Sequence, residues 1–383
     1  MEVNSGPPGS GPFILTLPTG GDSFTGQEDA VRLSRRVLLR LAGLAALSLT
    51  VPACREMLRQ ILFSPEATQA PVPPPVKNLF RAGGRSLVAI VRGDDVPRAV
   101  RRAVDLIGGI AKLQVRGART LVKPNVVWGE PPPATTDPRV VKAVATLARE
   151  AGAAPLAVGD MAAVTSLPTR PHLERTGIAA ATREVGAEVL AFDEGEWVAV
   201  EPAGVEYTKK VFVARAAHQA ERLISVPVIK THRSASFSCA LKNTVGCVHG
   251  KNKPWMYGSE AWEPAVAELN VAVRPHLYVV DGLRSMVRGG PYSGDAADTG
   301  VILASGDPIA ADAVALGILK HFGRWDMVDS KGVWEQVQIR RAIALGLGAR
   351  GPDEVELVSE DQAGGDREFA RLLEAVRRHA GLA

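Results

Sequence analysis

The stretch "TLVKPNVV", residues 120–127, is followed by a helix-period segment over residues 137–152 and then by "PLAVGD", residues 155–160. Two short β-type runs on either side of an amphipathic helix are typical of a βαβ unit, in which a helix connects two parallel strands. The same alternation continues along the chain and predicts an α/β fold, with a mostly parallel sheet covered by helices. The further β-type runs are "SLVAIV" (86–91), "EVLAF" (188–192), "RLISVPVIK" (222–230), "HLYVVDG" (276–282), "GVILASGD" (300–307) and "EVELVSE" (354–360).

Two segments depart from this alternation. Residues 196–217 read as two or three antiparallel strands, which predicts a small insertion or edge ribbon. The proline-rich run "SPEATQAPVPPPVKN" predicts an extended stem without a core of its own. The predicted organisation is therefore a disordered N-terminal extension (1–33), a signal peptide (34–53), a Pro-rich stem (54–85) and a single α/β domain (86–383).

The sequence of the N-terminal region predicts an export signal. Ser34 and the arginine pair that follows it precede an apolar run over residues 41–53, a pattern typical of a twin-arginine signal peptide. This run is shorter than the roughly 20 residues that a membrane span needs. We expect the twin-arginine export machinery to deliver the protein to the periplasm or to the outer face of the cell membrane. The sequence "LTVPAC" resembles a lipobox ending at Cys54 but also suits an ordinary signal-peptidase site, so a lipid-tethered product and a soluble one both stay open.

The composition excludes several classes of protein. With 46% hydrophobic and 22% charged residues, the chain is typical of globular proteins. The net charge is only +4, and the arginines are scattered, so no nucleic-acid-binding patch is predicted. Three cysteines without a closely spaced cysteine run exclude a cysteine-bound ferredoxin cluster within this chain. No other cofactor can be predicted.

Polar residues follow almost every predicted strand. The carboxyl ends of parallel strands form the edge at which open α/β sheets bind ligands, so these side chains are candidates for one cleft. Two of them have structural interpretations: Asp307 precedes Pro308 and predicts a helix N-cap, and Asp193 predicts a solvated turn. The full set is Lys123, Asn125, Asp160, Asp193, Lys230, His232, Asp281 and Asp307.

The segment "KTHRSASFSCALKNTVGCVHG", residues 230–250, concentrates chemically active groups. Its part over residues 236–246 has helical spacing, and a helix there would turn its N-terminus toward the cleft. The segment then predicts an anion-binding site in which His232 is a general acid or base. Lys230 or Lys242, with a lowered pKa, would be a base or an amine nucleophile, with Asn243 beside them.

Other interpretations of the same segment stay open. His232, Cys239, Cys247 and His249 supply the two nitrogens and two sulfurs of a structural zinc site, although their spacing fits no familiar zinc pattern. Alternatively, the two cysteines form a disulfide after export or are small core residues. Further along, "DGLRSMVRGGPYSG" predicts a glycine-rich loop whose Arg288, Gly289 and Gly290 would contact an anion.

A set of short motifs, taken in order, resembles the domain of unknown function 362 family. The resemblance covers roughly residues 122–320 and implies an α/β domain. Exported members with twin-arginine signals are familiar in this family, and some members carry an added ferredoxin-like segment that this chain lacks. No general activity is implied. The motifs are "VKPN", "TTDPRVVKAV", "VGD", "RTGI", "VPVIKTH", "ALKNTVGCVHG", "VVDGLRSMVRGGP" and "ASGDPIAADAV", and the landmark residues are Lys123, Asn125, Lys230, His232, Lys242, Asn243 and Asp281.

Three functional hypotheses follow. The first is an exported enzyme that acts on an anionic small molecule, a carboxylate or a phosphate. The second is a lipid-tethered protein that binds such an anion without catalysis, and the third is a metalloprotein that uses the His/Cys set. In the first, the catalytic residues are Lys230, His232, Lys242 and Asn243, and the cleft is lined by Lys123, Asn125, Asp160 and Asp281.

Overall fold

The computed structural model describes residues 52–365 and 367–383. In it, strands and helices alternate as predicted from the sequence. The described strands are Ala67–Gln69 (β1), Arg81–Ala82 (β2), Arg85–Arg92 (β3), Thr120–Lys123 (β4), Leu156–Asp160 (β5), Glu188–Ala191 (β6), Trp197–Val200 (β7), Val211–Ala214 (β8), Arg222–Ser225 (β9), Val228–His232 (β10), Ser236–Ser238 (β11), Leu277–Gly289 (β12), Gly294–Ser305 (β13) and Val355–Asp361 (β14). The described helices are Pro52–Leu62 (α1), Val96–Leu106 (α2), Pro138–Glu150 (α3), Arg170–Arg175 (α4), Ile178–Glu184 (α5), Arg215–His218 (α6), Ala240–Asn243 (α7), Trp262–Ala272 (α8), Pro308–Phe322 (α9), Asp326–Asp329 (α10), Val337–Ala344 (α11) and Arg367–Ala380 (α12).

The central sheet has eleven strands, eight of them in the order β14-β3-β13-β12-β9-β4-β5-β6. Strand β10 pairs with β12 and β11, and β2 pairs with β3. Six strand pairs are parallel and four are antiparallel, so the sheet is mostly parallel, as predicted. Strands β4, β5 and β10 therefore bring their carboxyl ends to one edge.

The covering helices follow from their apolar spacing. In α2 the residues Val96, Ala99, Val100, Ala103 and Val104 recur at helical intervals and are buried. An aspartate caps the start of α2, α3 and α9, which includes the predicted cap: Asp307 accepts hydrogen bonds from the backbone amides of residues 309 and 310. Residues 60–383 pack as one compact unit.

The insertion over residues 196–217 forms a separate sheet with the order β1-β7-β8. Strands β7 and β8 are antiparallel, as predicted. Strand β1 adds parallel to β7, with Ala67 opposite Trp197, and lies within residues predicted to be an unstructured stem. The stem prediction was wrong at that strand, because the edge of β7 offers unpaired backbone groups with which β1 pairs. It was also wrong at helix α1, which covers the start of the predicted stem.

The rest of the N-terminal prediction is not covered by the structure. The extension (1–33) and the signal segment (34–53) lie outside the described residues, apart from the last two positions of the signal. Cys54 lies in the backbone of α1. In the part of the chain that the structure describes, no helix has the length and apolar character of a membrane span.

Two local predictions were wrong. The segment over residues 281–294 is not a loop, because β12 continues to Gly289 and pairs with β13 as a long hairpin that buries Met286 and Val287. The segment over residues 236–246 is not one helix but strand β11, the short helix α7 and a 3-10 turn over Thr244–Cys247.

Candidate functional site

A cavity of about 340 Å³ opens where the carboxyl ends of β4, β5 and β10 meet. One part of its surface carries charged and polar groups, and the rest is apolar and aromatic. The polar lining residues are Asn125, Asp160, Thr165, Lys230, His232, Ser234, Ser238, Lys242 and Lys253, and the others are Val126, Val127, Met161, Ala162, Ala163, Val164, Val245, Gly246, Pro254, Trp255, Trp262, Pro291 and Tyr292.

What we call the floor of this cavity consists of Lys123, Asn125, Asp160 and Asn243. The Lys123 ammonium lies 2.6 Å from Asp160 Oδ1, and both side chains are buried. It also donates to Asn243 Oδ1 at 3.2 Å and to the carbonyl of residue 124 at 2.7 Å. The second carboxylate oxygen of Asp160 accepts from the backbone amide of residue 126 at 2.6 Å. A buried charge pair with this many partners holds its groups in one geometry.

The two asparagines connect the floor to the residues above it. Asn243 donates through Nδ2 to Ser225 Oγ at 2.9 Å and to the Lys123 carbonyl at 3.2 Å. Its Oδ1 accepts from Asn125 Nδ2 at 3.1 Å. The remaining acceptor of Asn125 faces Lys230, whose Nζ donates to it at 2.6 Å. Asn243 is therefore a structural member of the floor rather than a group that lines the cavity.

Lys230, His232, Lys242 and Lys253 form what we call the wall. Lys230 is buried and also donates to the carbonyl of Ala134 at 2.8 Å. Burial is the main cause that lowers the pKa of Lys230 to about 7, and the charge of Lys242 acts in the same direction. This amine can therefore exchange a proton near neutral pH.

His232 is uncharged in this setting. Burial lowers the pKa of the imidazole well below its usual value, and the charges of Lys242 and Lys230 act in the same direction. Its Nδ1 accepts from the backbone amide of Ser234 at 3.1 Å, so the ring proton lies on Nε2. The ring lies beside Trp262, with centroids 6.2 Å apart. Nε2 has no hydrogen bond to any described residue and can donate to a ligand.

Lys242 is the least compensated of the wall residues. Its half-buried ammonium forms no hydrogen bond or ion pair with any described residue. Burial lowers the pKa of Lys242 to about 7, and nearby Lys253 contributes. Lys253, which the sequence did not single out, donates to the carbonyl of Val245 at 2.6 Å and has a pKa lowered by burial to about 8.

Gly246 packs against the Lys123–Asp160 ion pair of the floor and has no space for a side chain. A Cβ atom at this position would lie 2.0 Å from Asp160 Oδ1 and 2.7 Å from Lys123 Nζ. Glycine therefore lets the backbone cover the buried ion pair, which explains the glycine in "ALKNTVG" as a packing requirement.

The apolar part of the cavity is aromatic. Trp255, Trp262 and Tyr292 line it, and Tyr292 packs edge-on against Trp128 with ring centroids 5.8 Å apart. The hydroxyl of Tyr292 lies 3.1 Å from Thr165 Oγ1. Trp128 and Trp255 are partly exposed. Sequence reasoning missed Trp255, Trp262 and Tyr292 because none of the three directly follows a predicted strand.

Asp281, Arg288, Gly289 and Gly290 do not line the cavity, although Pro291 and Tyr292 of the same hairpin turn do. Asp281 lies within β12, and its carboxylate accepts from the backbone amides of Asp137 at 2.7 Å and Leu283 at 3.1 Å. Burial raises its pKa to about 7. Arg288 is exposed, 3.7 Å from Asp295. Gly289 and Gly290 form the hairpin turn, where a Cβ on Gly290 would lie 2.0 Å from the Thr231 carbonyl.

The structure does not assemble the predicted His/Cys metal set. Cys239 and Cys247 are free and buried, not joined in a disulfide, and burial raises the pKa of Cys247 to about 12. The ring of His249 packs against Trp197, with centroids 5.0 Å apart. Among residues 52–365 and 367–383, no three His, Cys, Asp or Glu side chains are grouped as metal ligands.

The predicted helix N-terminus is also not available to a ligand. The backbone amides of Ala240 and Leu241 donate to the carboxylate of Asp312 at 2.6 and 3.1 Å. Asp312 is buried in α9, and burial raises its pKa to about 7. The anion that caps α7 thus comes from the protein itself, about 70 residues further along the chain.

The chain is similar to proteins already known. A family model described as "Domain of unknown function (DUF362)" matches residues 120–317. A thylakoid-associated protein from Synechocystis sp. is 30% identical over 229 residues, which are 58% of this chain and 69% of that protein. The lactate racemase apoprotein from Thermoanaerobacterium thermosaccharolyticum has a TM-score of 0.37 and 9% sequence identity, covering 77% of this chain and 87% of its own. That structural likeness is too slight for a functional comparison.

Proposed function

The chain belongs to the DUF362 family, and from that premise we propose that it is an enzyme that transfers a proton on a small anionic substrate. The observation that carries the proposal is the unpartnered amine of Lys242, which lines the cavity with a pKa lowered to about 7. At neutral pH a large fraction of this amine is unprotonated and can accept a proton. A lysine paired with a carboxylate would not have this property.

The neighbouring groups suit the other roles in such a reaction. The uncharged ring of His232 can donate its Nε2 proton to an oxygen on which negative charge develops. Lys230 and Lys253 place positive charge on the same wall and can hold a carboxylate or a phosphate. When Lys242 removes a proton from a carbon next to a carbonyl group, the electron pair of the C–H bond moves to the carbonyl oxygen. His232 would stabilise that oxygen.

The rest of the cavity supports an apolar substrate body. Trp255, Trp262 and Tyr292 line the cavity together with several aliphatic residues. Aromatic side chains of this kind bind apolar or aromatic groups. We therefore propose a carboxylate or phosphate attached to an apolar or aromatic group as the substrate class.

A hydrogen-exchange experiment tests the reaction. Phenylpyruvate and pyruvate, incubated with the protein in D2O, should incorporate deuterium at carbon, phenylpyruvate faster, when followed by proton NMR. Lys242→Met should slow the exchange by about 10²–10⁴-fold, the typical effect of losing a general base. Lys209→Met, which removes an exposed lysine, is the matched control. Equal exchange in wild type and Lys242→Met would reject the role of Lys242. Binding of both acids without exchange would favour the anion-binding protein that lacks catalysis.

Export and a lipid tether at Cys54 are further parts of the proposal. Their support is the twin-arginine pattern and the lipobox-like "LTVPAC". Fractionation of cells that express the wild type and Cys54→Ser tests both: a tethered protein should move from the membrane fraction to the soluble exported fraction in the variant. An unchanged distribution would argue against the lipid.

A further inference from the structure

A second cavity, of about 230 Å³, lies away from the first and shares none of its lining residues. It is bordered by the end of α8, the start of β12, the start of α9 and the loop over residues 346–348. Its polar residues are Asn78, Arg81, Asn270, Arg274, Tyr278 and Asp307, and the amide nitrogen of Asn270 already donates to the carbonyls of Leu241 and Val266. Nothing in the proposed reaction uses these residues.

Arg274 is a half-buried cation without an anion. Its Nε donates to the carbonyl of Val271 at 3.1 Å, which fixes the orientation of the guanidinium. No described carboxylate pairs with it, and its two terminal nitrogens have no described partner. Burial lowers the pKa of Arg274, which is the expected effect when no neighbouring negative charge compensates it. A guanidinium in this position offers two parallel donors to an oxyanion.

Tyr278 supplies a second unused donor. This residue is among the largest fully buried side chains, at 2% exposure, yet its hydroxyl forms no hydrogen bond with any described residue. Because Tyr278 lines the cavity, its hydroxyl can donate a hydrogen bond to an oxygen acceptor placed there. Because burial raises the pKa of Tyr278 well above its usual value, the hydroxyl keeps its proton.

The one carboxylate of this cavity is already engaged. Asp307 accepts hydrogen bonds from Ser86 Oγ at 2.7 Å, from the amides of residues 309 and 310, and from the amide of Ala349 at 2.9 Å. It therefore satisfies the start of α9 rather than Arg274. The two arginines and this one aspartate, 2 − 1, give the lining a formal net charge of +1. Such a charge suits a monoanion better than a dianion.

We propose that this second cavity binds the carboxylate group of a small molecule, held by the fork of Arg274 and by the hydroxyl of Tyr278. Arg81 lies at the exposed side and adds positive charge. The site is separate from the proposed reaction centre and does not depend on that proposal.

Titration with sodium acetate at constant ionic strength tests the site on the full chain. The thermal midpoint should rise with acetate concentration, as expected for a ligand that binds the folded state. The Nε–H resonance of Arg274, observed in protein labelled with ¹⁵N-arginine, should shift with the same apparent Kd. Arg274→Gln should raise that Kd at least about tenfold and Tyr278→Phe about fivefold, the usual effects of losing a charged and a neutral hydrogen bond. Inorganic phosphate at pH 8, mostly a dianion, should bind more weakly than acetate.

The controls separate this site from the first cavity. Lys242→Met should leave the Arg274 resonance shift unchanged, and Arg98→Gln, which removes an exposed arginine elsewhere, should leave the acetate effect unchanged. Arg274→Lys keeps the charge without the fork and should bind acetate with intermediate affinity, should Arg274→Gln fail to fold. Wild-type affinity in both Arg274 variants, or an acetate effect abolished by Lys242→Met alone, would overturn the proposal.

Discussion

Lys123 on the floor of the main cavity and Lys242 on its wall lie in opposite surroundings. On the floor, the ammonium of Lys123 has three oxygen partners, those of Asp160, Asn243 and residue 124. On the wall, the ammonium of Lys242 has no described partner. Full compensation makes a buried charge part of the framework, whereas an uncompensated charge is available for a ligand or a proton. The difference separates residues that hold the site from residues that act in it.

Breaking the ion pair of the floor should have the largest effect on the free energy of unfolding. Asp160→Ala leaves the buried ammonium of Lys123 without its countercharge, and we expect the free energy of unfolding to fall by about 3–5 kcal/mol. Urea denaturation at pH 7 measures this change. The control is Glu184→Ala, which breaks an equally short pair with Lys142 whose side chains are 58% and 50% exposed, and should cost less than about 1 kcal/mol. Similar losses in the two variants would show that the floor is not the framework we infer.

A substitution at Gly246 tests how tightly the backbone packs on the ion pair of the floor. In Gly246→Ala the new methyl group would lie 2.0 Å from Asp160 Oδ1, so the backbone or the ion pair must shift. We expect a loss of about 1–3 kcal/mol in the free energy of unfolding. Gly351→Ala is the matched control, because its Cβ would have no atom within 4 Å and its backbone is extended. If both alanine variants were as stable as the wild type, the floor would be more loosely covered than its distances indicate.

The sequence analysis expected polar residues at the carboxyl ends of parallel strands to share one cleft. This expectation predicted much of the floor and part of the wall. Lys123 and Asp160 end the neighbouring parallel strands β4 and β5, and Lys230 lies in β10, which is parallel to β12 of the same sheet. The alternating pattern predicted the parallel direction of these strands but not their order in the sheet. The expectation was wrong for Asp281, because β12 continues past this residue and forms a long hairpin with β13.

Other features depend on contacts between distant parts of the chain. Asn125 and Asn243 are 118 positions apart, and the sequence carries no sign that their amides bond. The start of α7 is capped by Asp312, which lies in the distant helix α9. Lys253 and Trp255 reach the cavity on loops, and the conformation of a loop is set by the surfaces beneath it rather than by local periodicity.

Removing the uncompensated amine of Lys242 should have the smallest effect on the free energy of unfolding, and it should stabilise the fold rather than destabilise it. The folded-state pKa of Lys242 is about 7, below the usual lysine value of 10.5. Between those two values the unfolded chain binds more protons than the folded one, so the free energy of unfolding rises with pH across this window. Below about pH 7 the penalty for burying the charge is fully present. Lys242→Met removes the penalty and should therefore be more stable than the wild type at pH 6. We expect a gain on the order of 1 kcal/mol, because water still reaches the half-buried amine.

Urea denaturation from pH 6 to pH 10.5 measures this difference. It should shrink as the pH rises, while a smaller slope remains in the variant because burial also lowers the pKa of Lys230 to about 7. Lys209→Met, at an exposed position, should follow the wild type throughout. A Lys242→Met variant that was less stable than the wild type at pH 6 would mean that this ammonium stabilises the fold. Lys242 would then belong with Lys123 on the framework side, and the proton-transfer role would lose its physical basis.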